Sequence, residues 1–254
     1  MMDWELLTLL LPAFAAGILV IATHVPLGQQ VLKRGIIFID LAIAQVAALG
    51  SLLVHVSHEL EHLPFANLLL PLICALLAAS LIAAIEKRQP QKLEALIGCL
   101  YVLAAVSALL VVAHDPHGAE LIKQLLNGQI LWLTWSQLAL PAGVSTLVLL
   151  AIWQHPQWLS GRAFYPLFAL IITLSVELVG VYLVFSCLIM PALAVMAKRK
   201  AIVFGYLIGL AAFALGLSCS AWFDLPAGAT IVVCLALVSL VANMALNQAQ
   251  PQPD

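Results

Sequence analysis

Eight apolar runs, most of them close to the length needed to cross a bilayer, take up almost the whole chain. They cover residues 6–27, 36–56, 65–85, 93–113, 130–153, 164–197, 201–223 and 228–247. A hydrocarbon core about 30 Å thick is spanned by roughly 20 helical residues. In lipid each segment must satisfy its own backbone N–H and C=O groups, so a helical bundle is the fold that such runs permit. Only 9% of the residues are charged and the mean hydropathy is +1.12, against about 25% charged in a soluble domain. The expected fold is therefore an all-α integral membrane protein, a polytopic bundle of eight to nine transmembrane segments. It forms one domain over residues 1–247, followed by a short disordered cytoplasmic tail at 248–254. The opening "MMDWELL" is acidic where a cleavable signal is basic, so the first run is expected to remain as a helix. The five cysteines stand singly inside apolar runs, which suits packing rather than disulfides or a thiolate metal site.

The positions of the basic residues orient the bundle. Lys33 and Arg34 lie between runs one and two, Lys87, Arg88 and Lys92 between three and four, and Arg162 between five and six. The positive-inside rule places these loops in the cytoplasm. Eight single crossings would put Lys198, Arg199 and Lys200 outside, against that rule. A division of the long sixth run into two segments near Glu177–Gly180 returns them inside. The chain then has about nine segments, with its N-terminus outside and its C-terminus inside, and a re-entrant pair would serve the charge argument equally well.

This orientation gathers five of the seven histidines on the outer side. His55, His58 and His62 fall in "HVSHELEH", and His114 and His117 in "HDPHGAE". Imidazole with nearby carboxylates suits zinc and other borderline divalent metals, so these five are candidate metal contacts. The alternative is that they are polar loop residues sitting in water. The spacing i, i+3, i+7 would align His55, His58 and His62 if a helix continued that far. "HELEH" also satisfies the H-E-x-x-H pattern of zinc proteases. Such an enzyme needs both histidines on a stable helix and a third ligand, whereas Pro64 predicts a break two residues after His62. His24 and His155 read as interface residues near the inner side.

Ionisable groups within apolar spans are costly and mark candidate pathways. Asp40 and Gln45 lie in the second run and Glu177 in the sixth. Asp40 could instead reach back to Lys33 or Arg34. No G-x-x-x-x-G-K-[ST] sequence occurs, so any ATP is expected to be bound and hydrolysed by another chain, and this one is expected to be no enzyme. No basic patch suggests nucleic acid.

Several stretches resemble the permeases of metal-ion ABC importers of the zinc, manganese and iron uptake type. "VELVGVYLVFSCLIMPALAVMAKR" is similar to that family's Val-Gly-x-x-Leu-Val…Leu-Ile-x-Pro-Ala-x-x-Ala stretch. "FDLPAGATIVV" is similar to its Asp-Leu-Pro-Ser-Gly-x-Thr-Ile-Val, and "LLNGQILWLTWSQL" to its Leu-Leu-x-Gly-x-Ile-Leu-x-Val-Ser-Trp. "LKRGIIFIDLAIAQVAALG" resembles, more distantly, its second helix. The resemblance implies a multi-pass inner (plasma) membrane permease. It would pair with a second permease copy, be driven by cytoplasmic ABC ATPase subunits, and be supplied by a periplasmic or extracellular metal-binding protein. The divalent metal, zinc first among the candidates, would be cargo rather than a cofactor.

Two departures mark a divergent branch. The family's second helix carries an Asp and, four residues on, a His along the metal path. Here Gln45 stands at the His position and Asp40 falls one residue early. The loop at 153–164 is shorter than the family's ATPase-contacting segment, which leaves Trp158, Gly161 and Arg162 as the coupling candidates. An ion- or proton-coupled secondary carrier using Asp40 and Glu177 is the rival reading, with an intramembrane zinc protease a distant third.

Overall fold

A computed structural model of the chain describes residues 4–57, 59, 62–63, 65–196, 198 and 200–248, with side chains from residue 8 to residue 246 of these. Regular structure among the described residues is entirely helical. Helix α1 spans Trp4–Arg34, α2 Ile39–Val56, α3 Ala66–Arg88, α4 Leu93–Val111, α5 Gly118–Asn127 and α6 Trp135–Gln154. A short α7, Gln157–Ser160, precedes α8, Phe164–Val179, and α9, Val181–Ala194. Helices α10, Ala201–Phe223, and α11, Ala227–Gln248, close the chain. Seven helices are long and apolar enough to cross a membrane, and α8 and α9 are shorter apolar helices. The long sixth run is thus two helices, as the charge pattern requires. The break is at Gly180, with φ 81 and ψ 161, a region essentially closed to other residues. Helix α11 continues through Gln248, and residues 249–254 of the expected tail lie outside the described residues.

One contiguous apolar core runs through the bundle. Helices α8 and α9 supply much of it, from Phe164 and Phe168 to Val184 and Leu188. Helix α2 is enclosed by α3, α4 and α8, while α9 packs on α1, α10 and α11. Small residues permit these approaches. A Cβ at Gly28 would stand 2.0 Å from the Leu188 carbonyl oxygen, and one at Gly209 would stand 2.6 Å from Ile21. Close contact of this kind holds helices together in lipid, where apolar burial gives no net drive. Pro26 has no N–H to give the Ala22 carbonyl. Tyr206 of α10 donates its hydroxyl to that oxygen at 3.1 Å instead, so the proline in α1 is answered by a neighbouring helix.

Polar contacts identify the two ends of the bundle. At one end Arg34 reaches Glu86 at the foot of α3 and the carbonyls of residues 159–161. Gln29 reaches the Ala192 carbonyl of α9, and Lys198 the Leu246 carbonyl of α11. The loops carrying Lys33, Lys87, Lys92, Arg162 and Lys198 therefore share one end, the cytoplasmic one by the positive-inside rule. At the other end Gly128 crosses the backbone at Val179 and Gly180, and Gly228 approaches Asn127. Exposed Trp135 and Trp153 stand at opposite ends of α6, about 27 Å apart along its axis. That spacing matches the two aromatic belts of a bilayer.

Candidate functional site

A cavity of about 330 Å³ opens at the outer end of the bundle. Its polar lining comprises Ser51 and His55 of α2, Gln124 of α5, Gln129, Gln137 of α6, and Thr173 and Glu177 of α8. Glu177 is the one exposed residue between Ile171 and Gly180. Every neighbour in that stretch packs inward, so the carboxylate is displayed to the groove by the bundle itself. Three helices end here. Helix α2 stops at Val56, α5 at Asn127 and α8 at Val179, and each contributes its last turn to the lining. Helix C-termini carry partial negative charge, and an acidic residue in a last turn adds to it. The N-terminus of α6 also borders the cavity, but Gln137 accepts the Thr134 N–H at 2.9 Å and satisfies part of it. The net field favours a cation. The available donors are one carboxylate, one imidazole and amide oxygens, a set that could contact a divalent metal.

The outer histidines do not form one cluster among the described residues. Ser57, at φ −100 and ψ 105, leaves the helical path directly after α2. Helix α2 therefore does not run unbroken from His55 to His62, as the stripe required. His62 is an exposed turn residue, and His58 and Glu61 lie outside the described residues. His114 and His117 are exposed on the approach to α5, where the His117 N–H bonds Asp115 Oδ1 at 2.8 Å. Of the four described, only His55 lines the groove. Among the described residues no group of three His, Cys, Asp or Glu side chains is placed to hold a metal. The groove offers contacts rather than a closed coordination sphere, and most of the H-E-x-x-H stretch lies outside the described residues.

Asp40 and Gln45 are both buried in α2, although five residues apart on a helix they point in different directions. The enclosure of α2 by its neighbours explains this. Asp40 is fully buried and neither carboxylate oxygen has a hydrogen-bond partner. It does not turn back to Arg34, whose guanidinium is committed elsewhere. His24 also departs from the reading as an interface residue. It is fully buried in α1, with Nδ1 2.8 Å from the Val20 carbonyl and Nε2 without a partner.

The coupling candidates cluster at the opposite end. Trp158 is exposed on α7 and stacks on His155 at 5.2 Å, and Gly161 and Arg162 are exposed just beyond it. The sequence alone missed two contributors. One is the trio Gln124, Gln129 and Gln137, whose only signal is three glutamines in a short outer stretch. The other is Arg34, which counts only as one positive charge until its contacts are seen.

Comparisons with known proteins agree with this architecture. A solved structure, PsaBC from Streptococcus pneumoniae in complex with Fab, shares 22% identity and superimposes with a TM-score of 0.74, covering 95% of each chain. Another, described as an inward-facing conformation of a metal-chelate type ABC transporter, shares 16% identity at a TM-score of 0.53. That match covers 96% of this chain and 79% of that one. Both likenesses are of fold. The model of the ABC 3 transport family matches residues 7–160 and 155–246. The chain, a multi-pass membrane protein, therefore belongs to the ABC 3 transport family.

Proposed function

We propose that the chain is the permease subunit of an ATP-driven importer of divalent metal ions, with zinc the leading cargo. Two permease copies form the path, and separate cytoplasmic ATPases dock on the end that carries Trp158, Gly161 and Arg162. An outer binding protein delivers the ion. The observation that carries this reading is the outer groove, where three helix C-termini, Glu177 and His55 converge in a chain of a transport family. A field of that sign selects for a cation, and a set of contacts that stops short of full coordination lets it leave. Asp40 lies deeper along α2, buried and unpaired, as the next carboxylate for an ion released from the groove. Gln45, on another face of α2, is the weaker contact, since an amide oxygen binds zinc less well than imidazole. The likeness to a metal-chelate type ABC transporter supports the choice of metal as cargo.

The test is metal accumulation in cells that lack their own high-affinity zinc uptake. They would express the chain with its ATPase and binding protein, and then carry Glu177→Gln or His55→Ala. Uptake that needs the ATPase and falls with Glu177→Gln supports the reading. Uptake that continues without any ATPase points to the ion-coupled carrier. Absence of uptake of every divalent metal tested, in an assembled complex, overturns the cargo.

A further inference from the structure

We infer that Arg34 is a positioning residue that fastens the ATPase-facing turn to the helix bearing Asp40, so that movement of the turn is passed to the pathway. The inference rests on the function proposed above. Arg34 is the last residue of α1, and its side chain is only 14% exposed. Its Nη1 donates to Glu86 Oε1 at 3.2 Å, near the end of α3. Nη2 lies 3.3, 2.7 and 2.9 Å from the carbonyl oxygens of Leu159, Ser160 and Gly161. These are the terminal carbonyls of α7, the negative end of that short helix. The guanidinium carbon lies 4.7 Å from the ring centre of Phe164 and 5.4 Å from that of Tyr165, where α8 begins. One side chain therefore joins α1, α3, α7 and α8.

The arrangement exceeds what stability alone requires. Ser160 and Gly161 are exposed, so water could satisfy their carbonyls at little loss. An ordinary surface ion pair contributes little. What the guanidinium supplies is geometry: a planar fork that bonds several oxygens while stacking on aromatic faces, which an ammonium cannot reproduce. On its other side Arg34 is joined to α2 by a tight corner. Gly35 has φ +67, and the Ile36 N–H bonds back to the Val31 carbonyl at 3.3 Å. The Phe38 N–H bonds Glu94 Oε1 at 3.1 Å, fixing the start of α2 against α4. Asp40 sits in the first turn that follows. A displacement of residues 159–161 thus acts on a corner with little slack, and that corner leads directly to the buried carboxylate.

The complex of permease, ATPase and zinc-loaded binding protein would be reconstituted in proteoliposomes. ATP hydrolysis and zinc uptake would be measured together for wild type, Arg34→Lys and Glu86→Gln. Arg34→Lys keeps the charge and loses the fork. Zinc moved per ATP should fall roughly 2- to 30-fold, the range associated with losing a coupling residue, while hydrolysis stimulated by the binding protein persists. Glu86→Gln leaves the three carbonyl contacts in place and should hold the ratio within about twofold of wild type. A parallel readout, hydrogen exchange of the amides at 157–162, should quicken in Arg34→Lys. An unchanged ratio in assembled Arg34→Lys complex would overturn the inference. So would a loss of hydrolysis and uptake in constant proportion, the mark of a purely structural role. If the wild-type complex showed no ATP-dependent uptake, the proposed function would fall first and this inference with it.

Discussion

Gly180→Ala is the substitution whose consequence follows most directly from the structure. Gly180 has φ 81 and ψ 161, and a Cβ there would lie 2.3 Å from the Gly128 nitrogen and 2.6 Å from the Asn127 carbonyl carbon. Those are backbone atoms, with no side-chain rotamer to turn aside. The dihedral cost of an L-residue in this region is about 1–3 kcal/mol. Forcing a methyl into packed backbone adds about 1–3 kcal/mol. Together they destabilise by about 2–6 kcal/mol, a large part of the stability of a marginal fold. Gly35→Ala separates the two contributions. Gly35 has φ +67 but nothing within 4 Å of its Cβ position, so only the dihedral cost of about 1–2 kcal/mol applies. Gly143 lies within α6 with nothing within 4 Å of its Cβ position, so Gly143→Ala should be neutral or stabilising by about 0.5–1 kcal/mol. Detergent-denaturation curves of the purified chain in mixed micelles would rank the three. The expected order of loss is Gly180, then Gly35, then Gly143. A Gly180→Ala midpoint equal to that of Gly35→Ala would refute the close crossing of residues 127–128 over the break.

Other outcomes can be checked in the same preparations. Tyr206→Phe should cost about 0.6–1.7 kcal/mol by orphaning the Ala22 carbonyl. In a Pro26→Ala background, where the helix regains its own N–H, the cost should nearly vanish, and a thermodynamic cycle would show it. Asp40→Asn should leave stability unchanged or raise it, because a fully buried, unpartnered carboxylate is being relieved, while uptake falls. Equal losses of both would mean that Asp40 is merely structural. Changing Gln124, Gln129 and Gln137 together to Leu should raise the metal concentration needed for half-maximal uptake while the chain still assembles. Glu59→Gln should leave uptake intact, since the proposed path assigns no proton transfer to the "HELEH" stretch.

Much of this could be read from the sequence for physical reasons that can be named. Lipid forces backbone satisfaction, so apolar runs translate directly into helices, and ten basic residues suffice to set their sides. The charge pattern calls for a division of the sixth run, expected near Glu177–Gly180, because one crossing would have stranded Lys198 and Lys200. The site was less legible. Glu177 stands out as a charge in an apolar run, but the glutamines that face it come from other segments and meet it only through packing. His55, His58 and His62 share a periodicity that matters only if a helix persists, and extended backbone at Ser57 ends it. Arg34 was hidden for the opposite reason. A basic residue beside a membrane helix is commonplace, and its partners at Glu86 and residues 159–161 are distant in sequence.

The short span of α8 and α9 also has an electrical consequence. Their 16 and 14 residues rise about 24 and 21 Å, less than the 30 Å of hydrocarbon they sit within. A water-filled groove above Gly180 would remain at the potential of the outer solution, so the membrane voltage would fall across about 24 Å instead of 30 Å. The local field would then be steeper by about a quarter. On the proposed route a doubly charged ion reaches Glu177 before crossing any of that drop. The remaining descent to the inner face releases about 4.6 kcal/mol per 100 mV, all of it within the protein's own interior.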